Sequence, residues 1–430
     1  MKITIPDFCL VAIVAPNASN AEALAQRHFR PGEIVSLTSQ MWPKLAADRL
    51  VRRELVAIEA SEASIQQQID LVRLAKTFYA QPVAIVLCDP ATRSDLRKWR
   101  SFESTGFRPA HAVPPWQVAE LEIERERLPS DLRHEHGPFD IIGDVHGCID
   151  ELTELLHRLG YRVHLEGSGD DRRAHVDTPP GRRVIFVGDF VDRGPNSPDV
   201  LRIVMAMVEH GQAFAVPGNH DVKFLRWLQG ANVRLTHGLD LTADQFTKEG
   251  AEFRNAVRHF LLSLPSHLWL EGGRLAVAHA GILEEMIGRE AEGVREFCIY
   301  GDTDGETDET GLVIRYNWAV NYSGDTVVVY GHTPVPDAAW VNNTVCIDTG
   351  CVFGGKLTAL RWPEREVVSV PPACTPSQVA RLAFLRRGQQ SANIRENAGG
   401  LAFEPSVDVE TGLIVPRAIG PSWKYRSVRR

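Results

Sequence analysis

Short runs of consecutive apolar residues open this chain, separated by segments whose apolar positions recur every three or four residues. The runs are Cys9–Val14, Glu33–Leu37, Leu55–Ile58 and Pro82–Leu87. They are short and rich in β-branched residues, as expected of strands buried on both faces. Between them, Ala21–His28 and Ser64–Phe78 carry the helical period. Strand and helix in alternation predict βαβ units and a mainly parallel sheet over residues 1–125. Residues 126–138 are charged, hold Pro129 and Pro138, and include Arg133-His134-Glu135-His136; they read as a linker. New β-runs follow at Phe139–Ile142, Arg183–Val187, Ala213–Val216, Leu275–Ala278, Thr326–Tyr330 and Val345–Ile347. Helical stretches such as Ile149–Leu159 and Pro198–Glu209 separate several of them. A second α/β domain is therefore expected over 139–372. Residues 373–430 form a C-terminal extension, expected to be partly flexible and ending in a basic tail, Trp423–Arg430.

Composition narrows the class. The chain has 430 residues, 44% hydrophobic and 24% charged, which is ordinary for a globular protein with a buried core. No apolar run approaches the ~20 residues of a bilayer span, and Pro16 and Asn17 interrupt the only early apolar stretch, so neither a membrane anchor nor a signal peptide is expected. The seven cysteines form no CxxC pair, which argues against a disulfide framework or zinc ribbon and for a reducing cytoplasm. A net charge of −8 excludes coating nucleic acid through the overall field. It leaves room for a substrate recognised at one end.

The chemistry sits where the β-runs of the second region stop. Five of them end in polar clusters: Gly143-Asp144-Val145-His146-Gly147, Gly188-Asp189-Phe190-Val191-Asp192-Arg193-Gly194, Gly218-Asn219-His220-Asp221, Ala278-His279-Ala280-Gly281 and Gly331-His332-Thr333-Pro334. Open α/β sheets place their sites at strand C-termini. Asp144, His146, Asp189, Asn219, His279 and His332 offer oxygen and imidazole donors and no thiolate. That set suits manganese first, with nickel, iron or zinc as alternatives. Two divalent ions about 3.5–4 Å apart clamp the attacking and leaving oxygens of a phosphoryl displacement. A shared carboxylate is needed between them, and Asp189 is the candidate. Asp144 and His146 would complete one ion's set, and Asn219, His279 and His332 the other's. Arg193 can grip phosphate oxygens bidentately. His220 can protonate the leaving oxygen, held by Asp192.

These clusters resemble the binuclear metallophosphoesterases, in particular the phosphoprotein-phosphatase-like branch with its GDxHG, GDxxDRG and GNH(E/D) signatures. The resemblance implies a calcineurin-like α/β sandwich over 139–372, the same six metal ligands, a general acid at His220 oriented by Asp192, and a phosphate clamp at Arg193. Asp221 stands where the branch often has Glu. Further segments, His134–Ile142, Tyr300–Asp308 and Ile347–Gly355, resemble the bacterial polynucleotide kinase-phosphatase of RNA end-healing. That family joins a P-loop kinase to the phosphatase, which implies a P-loop-kinase-like fold for 1–125. Arg315 is a candidate second phosphate contact. Asp348 is read either as a carboxylate supporting a ligand histidine or as a strand-end turn residue, and the acidic run 302–308 as a solvated loop.

The kinase pattern breaks at its phosphate cradle. A P-loop needs G-x-x-x-x-G-K-[ST], and this chain has Ala15, Asn20, Ala21 and Glu22 at the defining places. Asn20 is expected to cap the following helix. After the second run Ser36-Leu37-Thr38-Ser39-Gln40 lacks the family's acceptor-activating Asp, and no arginine-rich lid stands between Cys88 and Ala112. Residues 1–125 are thus expected to be a pseudokinase, a brace for the phosphatase, or a surface for a protein partner. No KxDG nucleophile of an adenylyltransferase occurs; Asn393–Ala398 is at most a remnant of one. The leading functional expectation is a phosphoesterase acting on 2′,3′-cyclic, 2′- or 3′-phosphate ends of RNA or on nucleotides. A phosphoprotein phosphatase or dinucleoside tetraphosphate hydrolase shares the same signatures and is the alternative. A scaffold with a vestigial phosphatase is the third reading. Oligomeric state is left open.

Overall fold

The computed structural model describes residues 1–303, 305–307 and 313–373, and the backbone of two strands at Phe403–Val407 and Ile414–Ala418. The basic tail, the Asn393–Ala398 segment, Cys374, Asp304 and Asp308 lie outside the described residues. Up to residue 373 the described chain forms two compact units, Met1–Leu128 with Gly288–Gly293, and the remainder from Pro129 onward.

The first unit runs β1 (Lys2–Pro6), β2 (Cys9–Val14), α1 (Ala18–His28), β3 (Ile34–Ser36), α2 (Trp42–Val51), β4 (Val56–Glu59), α3 (Ile65–Thr77), β5 (Gln81–Leu87), α4 (Arg93–Thr105), β6 (Ala110–Val113) and β7 (Glu122–Glu126). A five-stranded sheet in the order β3-β4-β2-β5-β6 is parallel throughout. The strand β2 explains the uninterrupted apolar run. Leu10, Ala12 and Val14 join one core cluster, and Cys9, Val11 and Ile13 another on the opposite face. A strand alternates its side chains, so only an all-apolar run serves a sheet covered on both sides. The parallel pair β1–β7 escaped the pattern because its exposed edge is charged. Helix α1 starts earlier than expected: Asn17, not Asn20, is the cap, its side chain accepting the Asn20 amide at 2.9 Å. The segment after Cys88 is the amphipathic α4.

The second unit continues with β8 (Phe139–Ile142), α5 (Ile149–Leu159), β9 (Arg162–Glu166), β10 (Arg173–Asp177), β11 (Arg183–Phe186), α6 (Ser197–Glu209), β12 (Ala213–Ala215), α7 (Asn219–Leu228), α8 (Leu239–Thr247), α9 (Ala251–Ser263), β13 (His267–Leu270), β14 (Leu275–Ala278), β15 (Val327–Tyr330), β16 (Trp340–Val341), β17 (Thr344–Cys346), β18 (Leu357–Trp362) and β19 (Glu366–Val370). Two five-stranded sheets form, β12-β11-β8-β18-β19 and β13-β14-β15-β17-β16. Phe139, Ile141, Ile185, Val277, Val329 and Leu360 pack between them. The outer face of the first sheet buries Ile142, Val184 and Phe186 against Leu152, Leu155, Val200 and Val204 of α5 and α6. The strands β12, β11 and β8 are parallel, as are β14 and β15. Their C-terminal ends therefore emerge on one side of each sheet, and all five polar clusters begin there.

The stretch 126–138 is not a free connector. Its first residue closes β7, while Ser130 and Asp131 are buried, the Trp269 amide donates to the Ser130 carbonyl at 2.8 Å, and the Glu271 amide donates to the Glu135 carbonyl at 3.0 Å. Its charged residues suggested solvent, but Arg133 spends its charge on Asp131 at 2.7 Å and stacks on Trp269.

Candidate metal centre

Two of the clusters begin with a close approach of backbone and carboxylate. A Cβ on Gly218 would collide with Asp189 Oδ1, and one on Gly331 with Asp144 Oδ1. Glycine at these two places lets the carboxylates lie against main chain. Immediately beyond, five non-glycine residues adopt left-handed backbone: His146 (φ 47°), Asp189 (50°), Asp192 (75°), Arg193 (70°) and His332 (72°). Each costs about 1–3 kcal/mol, and such strain gathers where function fixes side-chain direction.

The side chains converge. His146 donates from Nδ1 to the Val191 carbonyl (2.8 Å), and His279 from Nδ1 to the Val187 carbonyl (3.0 Å). These bonds leave both Nε2 atoms as bare acceptors, the arrangement metal-binding histidines show. The bare His279 Nε2 then faces two oxygen acceptors, Asn219 Oδ1 at 3.2 Å and Asp189 Oδ1 at 3.5 Å, and stands 3.1 Å from His332 Nδ1. His146 Nε2 stands 3.4 Å from Asp189 Oδ2. Asp144 accepts the His332 amide at 3.0 Å through Oδ2, while its Oδ1 and His332 Nε2 are buried with no hydrogen-bond partner among the described residues. Buried lone pairs turned toward one another are repulsive unless positive charge lies among them. Of the three donor groups close enough to hold an ion among the described residues, two share Asp189, namely His146–Asp189–His220 and Asp144–Asp189–His279; the third is Cys148–Glu151–Cys351.

The electrostatics agree. Burial pushes the Asp144 carboxyl well up, as do neighbouring Asp348 and Asp189. Burial also opposes ionisation of Asp189, but the surrounding His279, His220, His146 and His332 outweigh it and hold that carboxyl far down. Burial lowers His146, His279 and His332, with Arg193 adding to the effect at His146 and Arg315 at His332. Burial thus favours the neutral form of these rings, the form that ligates a metal.

Arg193 spans two rings, its Nη1 2.6 Å from His146 Nε2 and its Nη2 2.6 Å from His220 Nε2. His220 Nδ1 is 2.6 Å from Asp192 Oδ2, so the pair expected from sequence is in contact. Arg315 reaches Thr333 Oγ1 at 3.2 Å, beside His332. All ten candidate residues thus belong to one region. Asp348 accepts the Gly350 amide at 2.9 Å, as a strand-end turn residue does, and also lies in the field of Asp144.

Three supporting groups were assigned no role from the sequence. Asp221 is fully buried; it accepts the Phe190 amide at 2.9 Å and the Gly218 amide at 2.8 Å, tying the Asp189 loop to the start of α7. Its adjacency to His220 was the available signal. Thr242 accepts the Asp192 amide at 2.9 Å, and no local pattern marks it. Asp140, buried within β8, is held by Tyr161 at 2.9 Å, Arg361 at 3.1 Å and Arg182 at 3.2 Å.

A two-sheet sandwich whose strand ends gather carboxylates, imidazoles and an arginine is the architecture of a phosphate-ester hydrolase. The family of calcineurin-like phosphoesterases matches residues 137–364, just over half of the chain, and this chain belongs to it. Members use a binuclear divalent metal centre, and the donor set described above fits one. Among curated relatives, the asymmetrical bis(5′-nucleosyl)-tetraphosphatase PrpE of Anoxybacillus flavithermus is 45% identical over 237 residues, 54% of this chain and 94% of that protein. The enzyme of the same name from Bacillus subtilis is 44% identical over 237 residues, again 54% of this chain and 94% of its own length. No helix among the described residues is long and apolar enough to cross a membrane.

Proposed function

We propose that this chain hydrolyses dinucleoside polyphosphates, with bis(5′-nucleosyl) tetraphosphates as the reference substrate. The reading is carried by the ring of proton-free acceptors around Asp189, and is supported by the activity named for relatives that match over nearly their whole length. The alternative weighed from the signatures becomes the leading reading, ahead of RNA end-healing. Asp144, His146, Asp189, Asn219, His279 and His332 hold two divalent ions, manganese first and nickel, iron or zinc as alternatives. The ions, when bound, supply Lewis-acid charge that polarises phosphoryl oxygens and favours an attacking water. Asp189, shared by both donor groups, keeps the two halves of the site together. Arg193 offers its planar fork to the non-bridging oxygens, and Arg315 stands as a second phosphate contact. Asp192 fixes the His220 ring through Nδ1; Nε2, which accepts from Arg193 Nη2 at 2.6 Å, passes a proton to the leaving oxygen once it has exchanged that bond for a proton. Water adds to one phosphorus, the P–O bond to the bridging oxygen breaks, and two nucleotides leave. Off-centre cleavage of a tetraphosphate yields a mono- and a triphosphate.

Residues 1–125 are proposed as a kinase-derived scaffold without phosphoryl transfer, available to a protein partner. The Ala15–Asn20 loop after β2 stands at the strand end where a phosphate cradle belongs, with neither its glycines nor its lysine. The test is a substrate panel: diadenosine tetraphosphate, a 2′,3′-cyclic nucleotide, an RNA 3′-phosphate and a phosphopeptide, with each metal in parallel. The tetraphosphate should give the highest kcat/KM. A preference for RNA ends or phosphopeptide overturns the reading, and phosphorylation of a 5′-OH oligonucleotide overturns the scaffold.

A further inference from the structure

Helix α7 leads away from the site. Asn219 is its first residue, and Lys223 and Arg226 follow at spacings of four and three, which puts all three on one face. Lys223 Nζ is tethered to the Thr236 carbonyl at 2.8 Å and Oγ1 at 3.0 Å, whereas Arg226 is exposed. Arg226 lies about 10 Å along the axis from Asn219, beyond the reach of a single phosphate at the metal centre.

A large aromatic ring stands on the same rim. Tyr300 is 43% exposed, yet its backbone is fixed to the site. The Ala280 amide, next to His279, donates to the Cys298 carbonyl at 2.6 Å, and a Cβ on Gly301 would rest 3.6 Å from Ala280. Further on, the Tyr316 amide donates to the Asp302 carbonyl at 2.9 Å, placing Tyr300 between the His279 loop and the segment carrying Arg315. Burial raises the Tyr300 phenol, while Arg226 is the strongest charge acting against that rise and Asp189 is also within its field. Arg226, Tyr300 and the metal-binding carboxylate thus share one neighbourhood.

We infer that Tyr300 and Arg226 form the subsite for the distal nucleotide of the substrate, Tyr300 stacking on a base and Arg226 binding phosphates between that base and the metal centre. The inference rests on the dinucleoside polyphosphate reading above. An aromatic face accepts any base, and a guanidinium suits a polyanionic linker. A small phosphate ester occupies only the metal centre and touches neither residue.

The test compares kcat and KM of the manganese-loaded full chain on diadenosine tetraphosphate and on p-nitrophenyl phosphate. Tyr300→Ala and Arg226→Ala should each lower the ratio of the two kcat/KM values about tenfold, through KM for the tetraphosphate. Tyr300→Phe should restore the ratio, because the ring face and not the hydroxyl does the binding. A ratio within twofold of wild type for both alanine variants overturns the subsite, as does Tyr300→Phe falling as far as Tyr300→Ala. Wild type that hydrolyses p-nitrophenyl phosphate but not the tetraphosphate overturns the reading beneath it, before any variant is compared.

Discussion

Both units send parallel strands into loops at their C-terminal ends, but they bury different things there. Within Met1–Leu128 the buried polar side chains among the described residues are Ser61 and Gln68, neither charged. The second unit buries Asp140, Asp144, Asp189, Asp192, Asp221, His146, His220, His279 and others. Burying a charge is costly unless it is paired or meets a metal. The first unit, where Arg289 is buried but donates to the Phe78 and Leu50 carbonyls, avoids that cost after β2: the segment there reads Ala15-Pro16-Asn17-Ala18-Ser19, and the residues from Pro16 onward lie exposed. The second accepts it and adds five strained backbone positions. A topology that could carry chemistry does not by itself supply any; the side chains at the strand ends do. The contrast is between a unit that fills its sheet faces with apolar side chains and one that gathers buried charge at its strand ends.

The contrast can be broken most directly at Asp189. Asp189→Ala, or chelation of the wild-type protein, should lower turnover about 1000-fold or more, the scale of losing preorganised electrostatic stabilisation, and added manganese should restore only the chelated wild type. Retention of a tenth of the activity would mean that Asp189 is not shared between two ions. Next, Phe107→Ala removes a fully buried ring from the first unit and should cost that unit about 3–5 kcal/mol, read as a lowered unfolding midpoint, while kcat per folded molecule stays within about twofold. A parallel collapse of kcat would show that the packing unit carries catalysis after all. His220→Ala should reduce kcat about 100-fold, or about 2.7 kcal/mol, with a smaller loss for Asp192→Asn, which leaves the ring in place but loosens its orientation.

The smallest effect tests the packing unit's surface. Glu33 meets Arg125 at 2.7 Å; burial opposes its ionisation, but hydrogen bonds from Arg125 and the Arg30 amide outweigh that and hold its carboxyl below the ordinary range. A carboxyl lowered in the folded state adds stability above the unfolded value of about 4.3 and loses it as pH falls through the folded one. Because the pair is partly solvated, less than about 1 kcal/mol is expected. Thermal midpoints of wild type and Glu33→Gln should differ at pH 7 and converge toward pH 3; a constant gap would deny the ion pair its part.

Much of this was legible in the chain. The run Cys9–Val14 coincides with β2 because a doubly covered strand must be apolar at every position. The strands β1 and β7 were missed because they alternate or carry charge. Asn17 displaced Asn20 as a cap because its side chain reaches the amide three residues on. The 126–138 stretch looked like a linker because the groups that hold it, among them Trp269 and the Glu271 amide, are distant in sequence.

The residue types of the site and their order were fixed locally, since oxygen and imidazole donors follow strand ends whatever surrounds them. Packing alone decided which atoms point inward. The free nitrogens of His146 and His279 are selected by carbonyls 45 and 92 positions away, and Asp189 serves two donor groups only because separate strands end side by side. A carboxylate's charge is written in its identity; its ionisation, direction and company depend on atoms brought near by the whole fold, because electrostatic interaction follows distance in space and not separation along the chain.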